Sequence, residues 1–138
     1  MLSDEQRDEI IQAALSARRM AYAPYSYYPV GAALLTSTGE VYTGVNVENA
    51  AYPTSICAER VAVFKAVSEG KREFLAIVVA TNNGGTPCGS CRQVLAEFGQ
   101  STLVIVVDGA GRVVQEAPVS TLLPGAFTPS DLPGRPRA

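Results

Sequence analysis

The sequence predicts an α/β protein, a three-layer α/β/α sandwich built on a mixed sheet of five strands. Three observations carry this expectation. Helical stripes and short apolar runs alternate along the chain in the order αββαβαβ, followed by a weaker final strand. Two of the runs, Phe74 to Thr81 and Leu103 to Val107, are almost wholly apolar, as strands covered on both faces are. The turn signal Ser37-Thr38-Gly39 joins two earlier strands closely enough for an antiparallel hairpin.

Each element has its own signal. Ser3 with Gln6 reads as a capping box, and Ile10, Ile11, Ala14, Leu15, Ala17 and Ala21 continue a helical stripe to about Tyr22. Ala23-Pro24-Tyr25-Ser26 ends it. Val30 to Thr36 and Val41 to Val47 are the hairpin strands, and 46–55 is a polar loop containing proline. A second helix starts near Cys57, runs to about Ser68 and stops before Gly70. The buried strand 74–81 and a loop to Pro87 precede a third helix, Cys88 to Phe98, closed by Gly99. After strand 103–107 comes the turn Asp108-Gly109-Ala110-Gly111. Arg112 to Gln115 forms the fifth strand, and a helical turn lies near Ser120 to Leu123. Residues 1–138 read as a single domain whose tail, from about Thr128, is rich in Pro and Gly and expected to fray.

Composition narrows the function classes. The net charge is -2 and the 11 basic residues are dispersed, so the chain lacks the basic stripe that grips a nucleic-acid backbone. No apolar run approaches the ~20 residues of a membrane span, and residues 1–10 are too polar for a signal peptide. A cytoplasmic protein with neither a nucleic-acid nor a membrane partner is the expectation. In that reducing compartment, cysteines at ligand-like spacing read as metal ligands rather than disulfides.

The chain has three cysteines and no histidine. Cys57 stands in Cys57-Ala58-Glu59-Arg60, and the other two in Pro87-Cys88-Gly89-Ser90-Cys91. Three thiolates can hold one Zn²⁺ and leave its fourth tetrahedral position without a soft protein ligand, the mark of a catalytic rather than a structural site. Alone, Cys88-x-x-Cys91 also fits a thiol-redox pair or half of a structural zinc site, and Glu59 alone fits a solvated acid at a helix start. Together, with about thirty residues between the segments, they match the zinc-deaminase signature in its three-cysteine form, with a glutamate as acid/base. Both segments fall at expected helix starts, where partial positive charge favours thiolates. Arg60 is expected to neutralise more of a three-thiolate site by donating to sulfur.

The chain resembles the small, homotetrameric, zinc-dependent cytidine deaminases across roughly residues 5 to 132. Pro24-Tyr25-Ser26-Tyr27-Tyr28-Pro29-Val30-Gly31-Ala32-Ala33-Leu34 is similar to the start of the family's first strand. Gly44-Val45-Asn46-Val47-Glu48-Asn49-Ala50 is similar to its ribose-binding loop, and both cysteine segments match in order. Leu122-Leu123-Pro124-Gly125-Ala126-Phe127 is similar to its C-terminal motif. The resemblance implies a cytidine deaminase-like fold and one zinc per chain on Cys57, Cys88 and Cys91. It also implies hydrolytic deamination of cytidine and 2′-deoxycytidine with Glu59 carrying protons. Asn46, Val47 and Glu48 are the implied ribose loop, with the Asn46 and Glu48 side chains on the sugar hydroxyls. The backbone N–H of Ala58 or of Cys88 would orient the zinc-bound oxygen or the base. Tyr52 would lie near the subunit contacts of the site, and Phe127 would stack on the base in a neighbouring subunit. The family usually carries phenylalanine where this chain has Tyr28, a position lining the pocket. The added hydroxyl requires a partner or water where it is buried. A sister deaminase acting on another aminopyrimidine nucleoside such as blasticidin S, and a non-catalytic zinc or thiol module, are the alternative readings.

Overall fold

The computed structural model describes residues 1–134. Its five strands pair in the order β2-β1-β3-β4-β5. They are β1 (Gly31–Thr36), β2 (Val41–Val45), β3 (Phe74–Ala80), β4 (Leu103–Val107) and β5 (Val113–Pro118). Only β3 and β4 are parallel, so the sheet is mixed. The parallel pair is joined through α3 (Gly89–Phe98), as two parallel strands require a crossover.

Strand alternation sends the two faces of the sheet to two different helical layers. Ala33 and Leu35 of β1, Ala76 and Val78 of β3, and Ile105 and Val107 of β4 meet Ile10, Ile11 and Ala14 of α1 (Asp4–Arg18). On the opposite face Ala32, Leu34, Ile77, Val104 and Val106 meet Ala58, Ala62, Val63 and Ala66 of α2 (Ala58–Ser68) and Leu95 and Ala96 of α3. The expected three-layer α/β/α arrangement results. β3 and β4 supply both layers, which is why their sequences carry almost no polar residue. A short α4 (Val119–Leu122) follows β5. Among the described residues no helix is long and apolar enough to cross a membrane.

Several boundaries differ from the sequence reading, each for a local reason. The capping box of α1 forms as expected, Ser3 Oγ accepting from Gln6 N and Gln6 Oε1 from Ser3 N. The helix nevertheless ends at Arg18 rather than Tyr22. The Tyr22 backbone is drawn out to donate to Asn46 O at 3.0 Å and accept from Glu48 N at 2.9 Å. For the same reason β2 ends at Val45: Val47 leaves β1 and bridges Ile56 and Tyr22 instead. β5 extends to Pro118, beyond the expected Gln115, because an edge strand tolerates Glu116 and a terminal proline. Residues 129–131 form a 3₁₀ turn capped by Thr128 and Asp131; the rest of the expected frayed tail, 135–138, lies outside the described residues.

The β1–β2 hairpin supplies a pH-dependent contact. The Glu40 carboxylate accepts from the hydroxyls of Thr36 and Thr38 and pairs with Lys71 at 3.2 Å. The Thr36 hydroxyl foremost, then that of Thr38, hold it down from 4.5 to about 2. A depressed carboxylate contributes stability that is full above 4.5 and lost as the pH falls towards about 2. Thermal melts of Glu40→Gln should therefore show a shallower acid slope across that window than wild type. Parallel slopes would assign acid sensitivity elsewhere.

Candidate active site

The cysteine segments come together because two helices begin side by side. Cys57 is the N-cap of α2 and Cys88 the N-cap of α3; neither sulfur is spent on a cap hydrogen bond. Cys91 lies in the first turn of α3 and is buried. The three sulfurs lie within 4.8 Å of one another, with Cys88 and Cys91 3.4 Å apart. Sulfurs of a tetrahedral zinc thiolate site, with bonds of about 2.3 Å, sit about 3.8 Å apart, so this cluster fits the ion.

The charges fit it as well. Arg60 Nη2 donates to Cys57 Sγ at 3.1 Å, while its Nε is buried without a hydrogen-bond partner among the described residues. The Cys91 thiol hydrogen bond foremost, together with Arg60, pulls the Cys57 thiol down to about 5. Cys91 is pushed up, as the donor in that bond and by burial. One guanidinium can stabilise one thiolate here; only a divalent cation lets all three ionise together. Glu59, one residue into α2, is only 5% exposed. Burial foremost, and then the Cys57 charge, raise its carboxyl above the usual range.

Cys57, Cys88, Glu59 and Arg60 line a cleft of about 510 Å³ beyond the carboxyl end of β3, a size suited to a small molecule. Tyr28, Asn46, Glu48, Tyr52, Ala58 and Glu59 line it together with Cys57, Cys88 and Arg60. Three anticipated residues are not in its lining. Cys91 is buried, its sulfur 3.4 Å from that of Cys88. Val47 is absent from the lining and commits its backbone to Ile56. Phe127 is also absent and is 57% exposed, held by its carbonyl accepting from Gln93 Nε2 at 2.7 Å. A larger hollow of about 700 Å³, lined by Arg72, Glu97, Gln100 and Thr128, contains none of the cysteines and not Glu59, so the chemistry belongs to the smaller one.

The loop polar residues already have partners. Asn46 Nδ2 donates to Tyr28 O and Asn46 Oδ1 accepts from Val30 N, both at 2.9 Å, fixing the segment that enters β1. Glu48 Oε1 accepts from Tyr25 N and Ser26 N at 3.0 Å, and Oε2 accepts from the Ser26 hydroxyl. The Ser26 hydroxyl foremost keeps this carboxylate low. The tight turn it caps holds Tyr27 at a φ of 55°, unusual for a residue with a side chain. Sequence reasoning missed Ser26, Ser55, Ile56, Val79, Thr81, Gly85 and Thr86 in the lining. Thr81 carried a signal, a polar residue closing an apolar run.

A sequence profile described as "Cytidine and deoxycytidylate deaminase zinc-binding region" matches residues 4–107, most of the chain and both cysteine segments. The chain belongs to this family. It is 46% identical over 127 residues to a cytidine deaminase of Sporosarcina psychrophila, covering 91% of this chain and 93% of that one. To the cytidine deaminase of Halalkalibacterium halodurans it is 48% identical over 128 residues, covering 91% and 97%. Its fold superposes on the crystal structure of cytidine deaminase from Burkholderia pseudomallei with a TM-score of 0.83 and 46% identity, covering 87% of this chain and 98% of that chain. Family membership and sheet topology agree, so the fold expected from the sequence is the fold observed.

Proposed function

We propose that this chain catalyses the zinc-dependent hydrolytic deamination of cytidine and 2′-deoxycytidine to the corresponding uridines and ammonia. One observation carries the reading: a buried carboxylate, Glu59, stands beside three clustered sulfurs at the edge of a nucleoside-sized cleft. Cys57, Cys88 and Cys91 would hold the zinc. When bound, zinc supplies the Lewis acidity that makes water a nucleophile near neutral pH.

The chain's own residues do the rest. Glu59 takes the proton of the attacking water and passes it to ring N3, which makes C4 electrophilic. The C4–O bond forms as that proton moves. Glu59 then carries the remaining hydroxyl proton to the amino group, the C4–N bond breaks, and ammonia leaves. A carboxyl raised by burial suits both directions of transfer, because it holds an accepted proton more firmly than an exposed carboxylate and can still release it. Arg60, donating to Cys57, keeps that thiolate anionic as the proton moves. The Asn46 and Glu48 loop is the ribose side of the cleft.

The active unit we propose is a homotetramer with shared sites. The outward position of Phe127 and the 70% exposure of Tyr52 support it, since both are implied to act across a subunit contact. Residues 1–138 act as one domain in this reading, in the cytoplasm.

Purified protein should carry about one zinc per chain and deplete cytidine and deoxycytidine absorbance. Chelation should abolish the rate and added zinc restore it. Blasticidin S in the same panel separates the sister activity. Full activity in metal-stripped protein would sink the proposal.

A further inference from the structure

The loop between β3 and α3, residues 82–87, forms one wall of the cleft and delivers Cys88; its two ends are held by Gly109 N donating to Asn82 O at 3.2 Å and by Arg92 donating to Thr86 Oγ1 and Pro87 O at 2.9 Å. Gly84 N and Gly85 N both donate to Thr81 Oγ1 at 2.8 Å, and Thr81 itself is 1% exposed. The middle of the loop has a further tie, from the opposite wall of the cleft. Tyr28, on the segment fixed by Asn46, donates its hydroxyl to Asn83 Oδ1 at 2.7 Å. A Cβ at Gly85 would fall 2.2 Å from that hydroxyl but 3.3 Å from the ring carbon bearing it. The Tyr28 oxygen therefore occupies the space that any side chain at 85 would need. Tyr28 and Gly85 both line the cleft, so the contact joins two of its walls.

We propose that the Tyr28 hydroxyl is a specificity-determining strut, which ties the segment entering β1 to the 82–87 loop, fixes the width of the nucleoside pocket, and makes glycine obligatory at 85. The inference concerns binding rather than chemistry: the strut joins walls and leaves Glu59 and the sulfurs untouched. It rests on the proposed deaminase reading only for its kinetic arm.

The test uses the zinc-loaded full chain, four single variants and one double variant. Tyr28→Phe should keep its zinc and raise the KM for cytidine by about three- to tenfold, the loss of one neutral hydrogen bond, with kcat within about twofold. Without nucleoside, amide exchange at Gly84 and Gly85 should speed up by a similar factor. Asn83→Ala should reproduce both changes. Asn83→Asp, which keeps an acceptor, should stay closer to wild type than Asn83→Ala. Gly85→Ala should lose on the order of tenfold in kcat/KM by overpacking, and adding Tyr28→Phe to it should recover much of that loss. Unchanged KM and unchanged exchange in Tyr28→Phe would overturn the inference, as would strictly additive damage in the double variant. If wild type turns over no cytidine, the functional reading fails, while the exchange rates still decide the strut.

Discussion

Glu59→Gln should keep about one zinc per chain, lose roughly 10²–10⁴-fold in kcat, and melt no lower than wild type. The substitution is nearly isosteric. Glutamine can still hydrogen-bond a base or a water but cannot carry a proton, so only the transfer steps are removed. The three clustered cysteines would hold the metal and are left in place, so the zinc should stay. The stability expectation follows from the sign of the carboxyl's shift. Burial raises it, so the folded chain binds this proton more tightly than the unfolded chain does, and ionisation of Glu59 costs stability as pH rises. A neutral amide in the same place removes that cost. Zinc analysis, initial rates by cytidine absorbance and a melting curve at neutral pH make the three checks. A variant that retains most of its kcat would remove Glu59 from the chemistry. One that loses its zinc would make it a determinant of metal binding instead.

The same residue shows why the site was readable before its geometry was known. Metal chemistry restricts ligand types sharply, and this chain has three cysteines and no histidine. Once helix starts were placed at Cys57 and Cys88, the dipole argument put both sulfurs at one kind of place, and the structure has each as an N-cap. β3 and β4 were legible because a strand buried on both faces leaves a run that few other elements produce. The second half of β5 was not, since an edge strand has no such pattern. Helix α1 was overextended because periodicity cannot see that the Tyr22 backbone is claimed by Asn46 and Glu48. The loop roles were least legible. Asn46 and Glu48 are expected from the sequence to face a sugar; what the structure shows is that both organise backbone, a duty written in hydrogen bonds that link residues some 16 to 23 positions apart. Gly85 gave no signal at all; its requirement is the absence of a side chain against a distant tyrosine.

Gly44→Ala should be among the costliest single methyl additions in this protein, together with one at Gly31, where an added Cβ would lie 2.2 Å from Ala14 O. Gly44 sits in β2 directly beneath the first turn of α2. An added Cβ would lie 2.3 Å from Ala58 O and 2.6 Å from Ala62 N, both backbone atoms, and 3.1 Å from Val61 Cβ. No rotamer change relieves a clash with backbone. The start of α2 must lift away from the sheet, or β2 must bend out of register. Either movement carries Cys57 and Glu59 with it, since they are the N-cap and an early residue of the same turn. Overpacking of this kind costs about 1–3 kcal/mol in stability. The catalytic loss should be larger, because a displacement near 1 Å of a proton carrier can cost about 10²-fold. Gly109→Ala is the matched control: there the nearest atom to an added Cβ is 3.6 Å away, ordinary contact. Melting temperature, zinc content and kcat measured on both variants separate the effects. If Gly44→Ala kept wild-type kcat while Gly109→Ala did the same, the close approach of β2 and α2 would not be what positions the metal site and its acid. If Gly44→Ala alone lost rate with its zinc partly released, then the small residue in β2 sets the height at which Cys57 meets Cys88 and Cys91.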